Sequence, residues 1–139
     1  MFIRITDSVS VAPQIPASAV AQAAAQGFRT IVNNRPDGES SDQPPGAEIA
    51  AACALAGLDY VAIPIDHTGF SLEQVTAMAD AMAAGPVLAY CRSGTRSCNL
   101  WALAAAQQGG KPAAIIDAAE EGGYNVAGLM PLLKQLSGG

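Results

Sequence analysis

Alternating β-type and α-type segments make this an α/β chain, expected as a three-layer α/β/α sandwich around a mainly parallel four-stranded sheet. Three observations carry that expectation. Short β-prone runs at residues 9–12, 28–33, 59–65 and 86–90 are separated by Ala-rich stretches long enough for helices, an order that builds parallel strands joined by right-handed crossovers. Glycines stand where those stretches stop, at Gly27, Gly57, Gly85, Gly109 and Gly122, as helix ends require. The run 86–90 (Pro-Val-Leu-Ala-Tyr) is apolar almost throughout, the pattern of a strand buried on both faces.

The first strand, 9–12, follows a polar lead-in and is closed by Pro13 and Pro16. Pro16-Ala17-Ser18 opens the first helix, which stops at Gly27. Residues 28–33 (Phe-Arg-Thr-Ile-Val-Asn) form a strand by their β-branched content. Residues 34–43 are a polar loop holding the turn signature Pro36-Asp37-Gly38. A second helix covers about 47–56, and a third strand covers 59–65 with Pro64 near its end. After the loop Asp66-His67-Thr68-Gly69, Ser71 and Gln74 are spaced as a capping box for a helix running to about Ala83. The strand 86–90 then leads through Cys91 into a helix from Arg96 to about Gln108. Pro112 starts another helix that reaches Glu121, and a short one covers about 128–136. No repeat, linker or low-complexity block interrupts this order, so residues 1–139 are expected to form one domain.

Half of the 139 residues are hydrophobic and only 14% are charged, which indicates a packed core and not a disordered chain. The formal net charge is −5, with no Lys/Arg cluster to attract nucleic acid or an acidic membrane. No apolar run reaches the roughly 18 residues of a membrane span, and the first residues lack a signal-peptide pattern. The three cysteines (Cys53, Cys91, Cys98) have no framework spacing. Free thiols and a cytoplasmic location are therefore expected. With His67 the cysteines form no zinc-ligand pattern, and neither metal nor cofactor is expected.

The functional signal lies at Cys91-Arg92-Ser93-Gly94-Thr95-Arg96-Ser97. A strand end, a small-residue loop and a helix N-terminus point successive N–H groups into one concavity, and the helix dipole favours an anion there. Cys91 at its base would be a nucleophile, because helix N-termini and nearby cations favour the thiolate. Arg96, with four residues between it and Cys91, could fold over the cradle and offer paired donors to a tetrahedral oxyanion. Gly94 allows the backbone N–H groups of residues 92–96, Ser93 and Thr95 among them, to face a ligand. Ser97 could bond the thiolate. In sheets of this kind ligands sit beyond the carboxyl ends of the strands, which adds the loops 33–37 and 66–67. Asp66 is the candidate general acid, or a turn cap before Gly69; Arg35 is a second positive wall, or a partner of Asp37 or Glu39. Arg92 points outward and could steer an anionic substrate. Cys98 is either buried against the sheet or a resolving thiol for Cys91. His67 is read as a loop or rim residue, and Cys53, Trp101 and Tyr124 as packing.

The loop 91–97 resembles the active loop of single-domain rhodaneses, which carry a persulfide on this cysteine. Over nearly the whole chain, residues 28–39, Ile63-Pro64-Ile65 and residues 122–126 resemble a different group, the phosphatase-like domain fused to metallo-β-lactamase-type hydrolases. That resemblance implies the dual-specificity tyrosine-phosphatase fold and either phosphatase or sulfurtransferase activity. Tyrosine phosphatases carry Cys-x5-Arg with a His before the Cys, whereas this chain has Cys-x4-Arg with Tyr90 there. The tighter loop favours a sulfane sulfur on Cys91, and sulfite leaving from thiosulfate needs no general acid. The leading expectation is thus a sulfurtransferase that takes thiosulfate or a persulfide and serves a thiol acceptor. A phosphomonoester hydrolase working through a Cys91 phosphoenzyme is the alternative. A non-catalytic anion-binding regulatory module is the third class.

Overall fold

The computed structural model describes residues 2–138. In chain order the elements are β1 (Ile3–Arg4), β2 (Val9–Ala12), α1 (Ala19–Ala25), β3 (Thr30–Asn33), α2 (Gly46–Ala56), β4 (Asp59–Ala62), α3 (Leu72–Ala84), β5 (Val87–Tyr90), α4 (Thr95–Gln107) and α5 (Pro112–Glu121). A 3₁₀ turn (Ala127–Leu129) then runs into α6 (Met130–Leu136). The sheet has five strands in the order β1-β2-β5-β3-β4. Four are parallel, as the alternating segments predict, and β1 pairs antiparallel with β2. The extra strand corrects the expected count of four. Its two residues, Ile3 opposite Val11 and Arg4 opposite Ser10, are too few to show a period of two.

Side chains of the central strands alternate between two cores, as a pleated strand demands. Val9, Val11, Val32, Val87 and Ala89 join the core packed under α3, α4, α5 and α6. Ala12, Ile31, Leu88 and Tyr90 face the smaller core under α1 and α2. Within the first core α4 is buried nearly all round, from Ser97 through Trp101 to Ala106, because it lies between the sheet and α3, α5 and α6. A helix surrounded in this way is apolar on every face. Its N-terminus therefore has little freedom to move. Among the described residues no helix is long and apolar enough to cross a membrane.

Ser71 and Gln74 form the predicted capping box, with both reciprocal bonds present at the start of α3. The third predicted strand is shorter than residues 59–65. The N–H groups of Ile63 and Ile65 still donate to the carbonyls of Asn33 and Asn34, at 2.9 Å each. Pro64 between them has no N–H to continue the ladder. The strand expected over 28–33 begins at Thr30, since the Phe28 N–H is taken by Ala23 at the end of α1.

One buried side chain then fixes the strand ends relative to one another. Asn34, 0% exposed, donates its backbone N–H to the Tyr90 carbonyl at 2.8 Å and its amide to the Ile63 carbonyl at 2.9 Å. Its side-chain oxygen accepts the Ser97 hydroxyl at 2.8 Å. The ends of β3, β4 and β5 and the first turn of α4 are thereby tied at one point, and the cradle stands on it.

Candidate functional site

Cys91 follows β5 directly, and its N–H donates to the Ala12 carbonyl at the end of β2, at 3.3 Å. The chain then turns so tightly that the Gly94 N–H donates to Cys91 Sγ at 3.1 Å. Gly94 has φ +90° and precedes the first residue of α4. The sulfur is 0% exposed and lies at the foot of a 13-residue helix, where the dipole favours a negative charge. Ser93 and Thr95 link hydroxyls at 3.0 Å along the exposed rim.

Gly94 is required twice over. Its φ is in the left-handed region, which costs other residues about 1–2 kcal/mol. A Cβ there would also stand 2.2 Å from the Tyr124 hydroxyl oxygen, the group that donates to the Ser93 carbonyl at 3.1 Å. Gly94→Ala is expected to cost at least about 2 kcal/mol, a fall in Tm of roughly 5–10 °C. Adding Tyr124→Phe should recover the part due to the oxygen contact and leave the backbone part together with the tighter approach to the ring, whose Cζ would stand 3.1 Å from the added Cβ. Thermal melts of the three variants check this.

Arg96 is held from one side. Its Nη1 donates to Glu39 Oε2 and to the Ile65 carbonyl, both at 2.7 Å, and its Nη2 donates to Glu39 Oε1 at 2.8 Å. Glu39 thus takes the end of the guanidinium fork. The Nε–H and the second Nη2–H share another edge of the plane, which none of these bonds occupies. The Glu39 bond raises the Arg96 pKa above its usual value; burial opposes this and the nearby Cys91 adds to it. The same ion pair, with Arg35 helping against a smaller burial effect, holds Glu39 down at about 2. Glu39 is therefore a carboxylate at any ordinary pH.

The structure redistributes several of the expected roles. Arg35 is not an open second wall: its side chain is 5% exposed, and its three nitrogens donate to Glu39 at 3.0 Å, Gln14 at 3.1 Å and Ser40 at 3.2 Å. Ser97 is expected from the sequence to bond the Cys91 sulfur, but its buried hydroxyl donates to Asn34 instead. Arg92 is exposed, and its carbonyl accepts the Gln14 N–H at 3.4 Å. With Gln14, Arg35, Ser40 and Asp42 it lines a cavity of about 250 Å³. Asp66 is one residue beyond the carbonyl that holds Arg96. Its carboxylate caps a turn, accepting the Thr68 hydroxyl at 2.5 Å and N–H at 2.9 Å, and those bonds lower its pKa. His67 is an exposed loop residue beside it. Cys98 and Cys53 are free and buried, and burial pushes their thiols up to about 12 and about 11.

Three residues of the site carried no clear sequence signal. Glu39 was in view only as a partner for Arg35, because nothing local says that a polar loop will reach α4. Gln14 enters because the end of β2 lies beside β5. Tyr124 looked like packing, and its hydroxyl instead restrains the loop at Ser93. Among the described residues no group of three or more His, Cys, Asp or Glu side chains is placed to hold a metal ion.

Comparison with known proteins places the chain in a family. A Beta-lactamase hydrolase-like protein of Agrobacterium fabrum is 36% identical over 109 residues, which is 77% of this chain and 25% of that protein. A namesake from Xylella fastidiosa is 42% identical over 82 residues, 58% of this chain and 19% of the other. The chain thus spans about a quarter or less of these relatives. The crystal structure of a candidate phosphatase from Neisseria meningitidis superposes with a TM-score of 0.80 at 29% identity, covering 96% of each chain. Tk-PTP in its active form gives 0.73 at 20% identity, with 99% of this chain and 96% of that one covered, a likeness of fold. The profile of one family, described as the phosphatase-like domain of Beta-lactamase hydrolase-like protein, matches residues 2–108, from β1 through the cradle to the end of α4, and the chain belongs to that family.

Proposed function

We propose that the chain is a cysteine-dependent phosphomonoester hydrolase. The observation that carries the reading is the pairing of a buried Cys91 sulfur, bonded by the Gly94 N–H, with an Arg96 whose other edge is fixed by Glu39 and Ile65. A phosphoryl group placed in the cradle would meet backbone N–H groups, the α4 dipole and the open guanidinium edge together. Cys91 Sγ attacks phosphorus, the P–O bond to the alcohol breaks, and water then cleaves the thiophosphate to inorganic phosphate and free thiol. The phosphatase-like family and the Neisseria structure support this ordering. It reverses the preference for sulfur transfer that the Cys-x4-Arg spacing suggests, since one residue fewer in the loop still leaves the arginine near the sulfur. On the same fold, PTPMT1 has been crystallised with PI(5)P and SIW14 with citrate. A small anionic substrate suits this cradle too.

Asp66 takes the part of general acid by position, one residue past the Arg96 anchor. To protonate a leaving alkoxide it must exchange its Thr68 bonds for the substrate. Asp66→Asn is expected to lower kcat by about 10²-fold on an alkyl phosphate and far less on p-nitrophenyl phosphate, whose leaving group needs no proton. Equal turnover on both by the variant and wild type removes the acid role. The reaction class is tested by mass spectrometry of Cys91 quenched during turnover of an aryl phosphate and, separately, after exposure to thiosulfate. A phosphoryl adduct is expected. A sulfur adduct of about 32 Da, with none from the phosphate, would overturn phosphoryl transfer in favour of sulfur transfer.

A further inference from the structure

We infer that Arg35 is a positioning residue for Arg96, acting through Glu39, so that three charged side chains set the angle of the oxyanion-binding fork. One Glu39 oxygen, Oε1, accepts from both Arg35 Nε at 3.0 Å and Arg96 Nη2 at 2.8 Å, while Oε2 accepts only from Arg96 at 2.7 Å. The carboxylate therefore cannot rotate without breaking its bond to Arg35. Arg35 is itself fixed. It is 5% exposed, and its other two nitrogens are held by Gln14 from the end of β2 and Ser40 from the polar loop.

This gives a purpose to a costly arrangement. A buried guanidinium loses hydration that one shared carboxylate replaces only in part, and a simple surface salt bridge would not need it. The consequence lies at Arg96. Its side chain is 24% exposed, yet three of its N–H groups are bonded to Glu39 and Ile65 before any anion arrives, so the ordering is done in advance.

The inference rests on Cys91 and Arg96 binding an oxyanion, and goes beyond the choice of reaction. Its test uses two readouts for that reason. Tungstate binding, measured by calorimetry, reports the cradle without turnover. Steady-state kinetics on p-nitrophenyl phosphate report the reaction. Glu39→Gln and Arg35→Lys are each expected to weaken tungstate binding about tenfold and to lower kcat about 10- to 100-fold. The double variant should be no worse than Glu39→Gln alone, because Arg35 works only through Glu39. Additive losses overturn the relay, as does tungstate binding unchanged in Glu39→Gln. If wild type binds tungstate with this pattern but hydrolyses no phosphate ester, the relay stands and the proposed reaction falls. Should Arg35→Lys fail to fold, Ser40→Ala removes one of its anchors at a half-buried position of an exposed loop. A loss of about threefold in tungstate affinity is expected there, and no loss overturns the relay.

Discussion

Cys91→Ser is expected to abolish turnover of phosphate monoesters, by at least about 10⁴-fold in kcat, with little change in thermal stability. The two atoms differ modestly in size, and the Gly94 N–H that donates to the sulfur can donate to a hydroxyl oxygen instead. The fold should therefore hold. The chemistry should not, because an alcohol keeps its proton far more tightly than a thiol, and a neutral hydroxyl is a poor attacking group. No second cysteine can replace it. Cys98 and Cys53 are buried in the cores and pushed up to about 12 and about 11, so both remain protonated at neutral pH. Steady-state rates on p-nitrophenyl phosphate beside a thermal melt check the pair of expectations. Turnover surviving in a folded Cys91→Ser protein would place the nucleophile elsewhere.

Cys91 and its loop are legible in the sequence alone. The loop 91–97 announced itself because a buried strand, a small-residue turn and a helix start are all local patterns, and local patterns survive in a one-dimensional string. The same holds for the Ser71–Gln74 cap and for Pro112 at the start of α5. What the sequence hid is contact at long separation. Glu39 and Arg96 are 57 residues apart, and nothing in a polar loop reports which helix it will meet. Ser97 shows the converse: its place beside the loop suggests a bond to the thiolate, but Asn34, fixed by the ends of β4 and β5, takes the buried hydroxyl instead. Tyr124 looked like packing because an aromatic residue shows its ring in a sequence and not the partner of its hydroxyl. Asp66 was found by position, and its capping bond to Thr68 is the outcome the turn chemistry of Asp-x-Thr would favour.

Arg96→Lys is the second large expected effect, a loss of about 10²–10³-fold in kcat with a smaller rise in KM. Charge is not what the change removes. A lysine would still be attracted by Glu39 and could still reach the Ile65 carbonyl, but its ammonium is a compact centre with three donors and no plane. Arg96 bonds Glu39 twice and Ile65 once, and after that it still has an edge with two parallel N–H groups. A lysine that bonded each of these two partners only once would have a single donor left, and nothing would aim it. The equatorial oxygens of a transferring phosphoryl group gain most from paired, pre-aimed donors. The loss should therefore fall on the transition state more than on the bound substrate. Arg96 is also the one basic side chain of α4, and it brings its charge near the sulfur. If Arg96→Lys keeps kcat within about threefold of wild type, the backbone N–H groups and the helix dipole suffice to hold the anion, and the guanidinium serves to anchor Glu39.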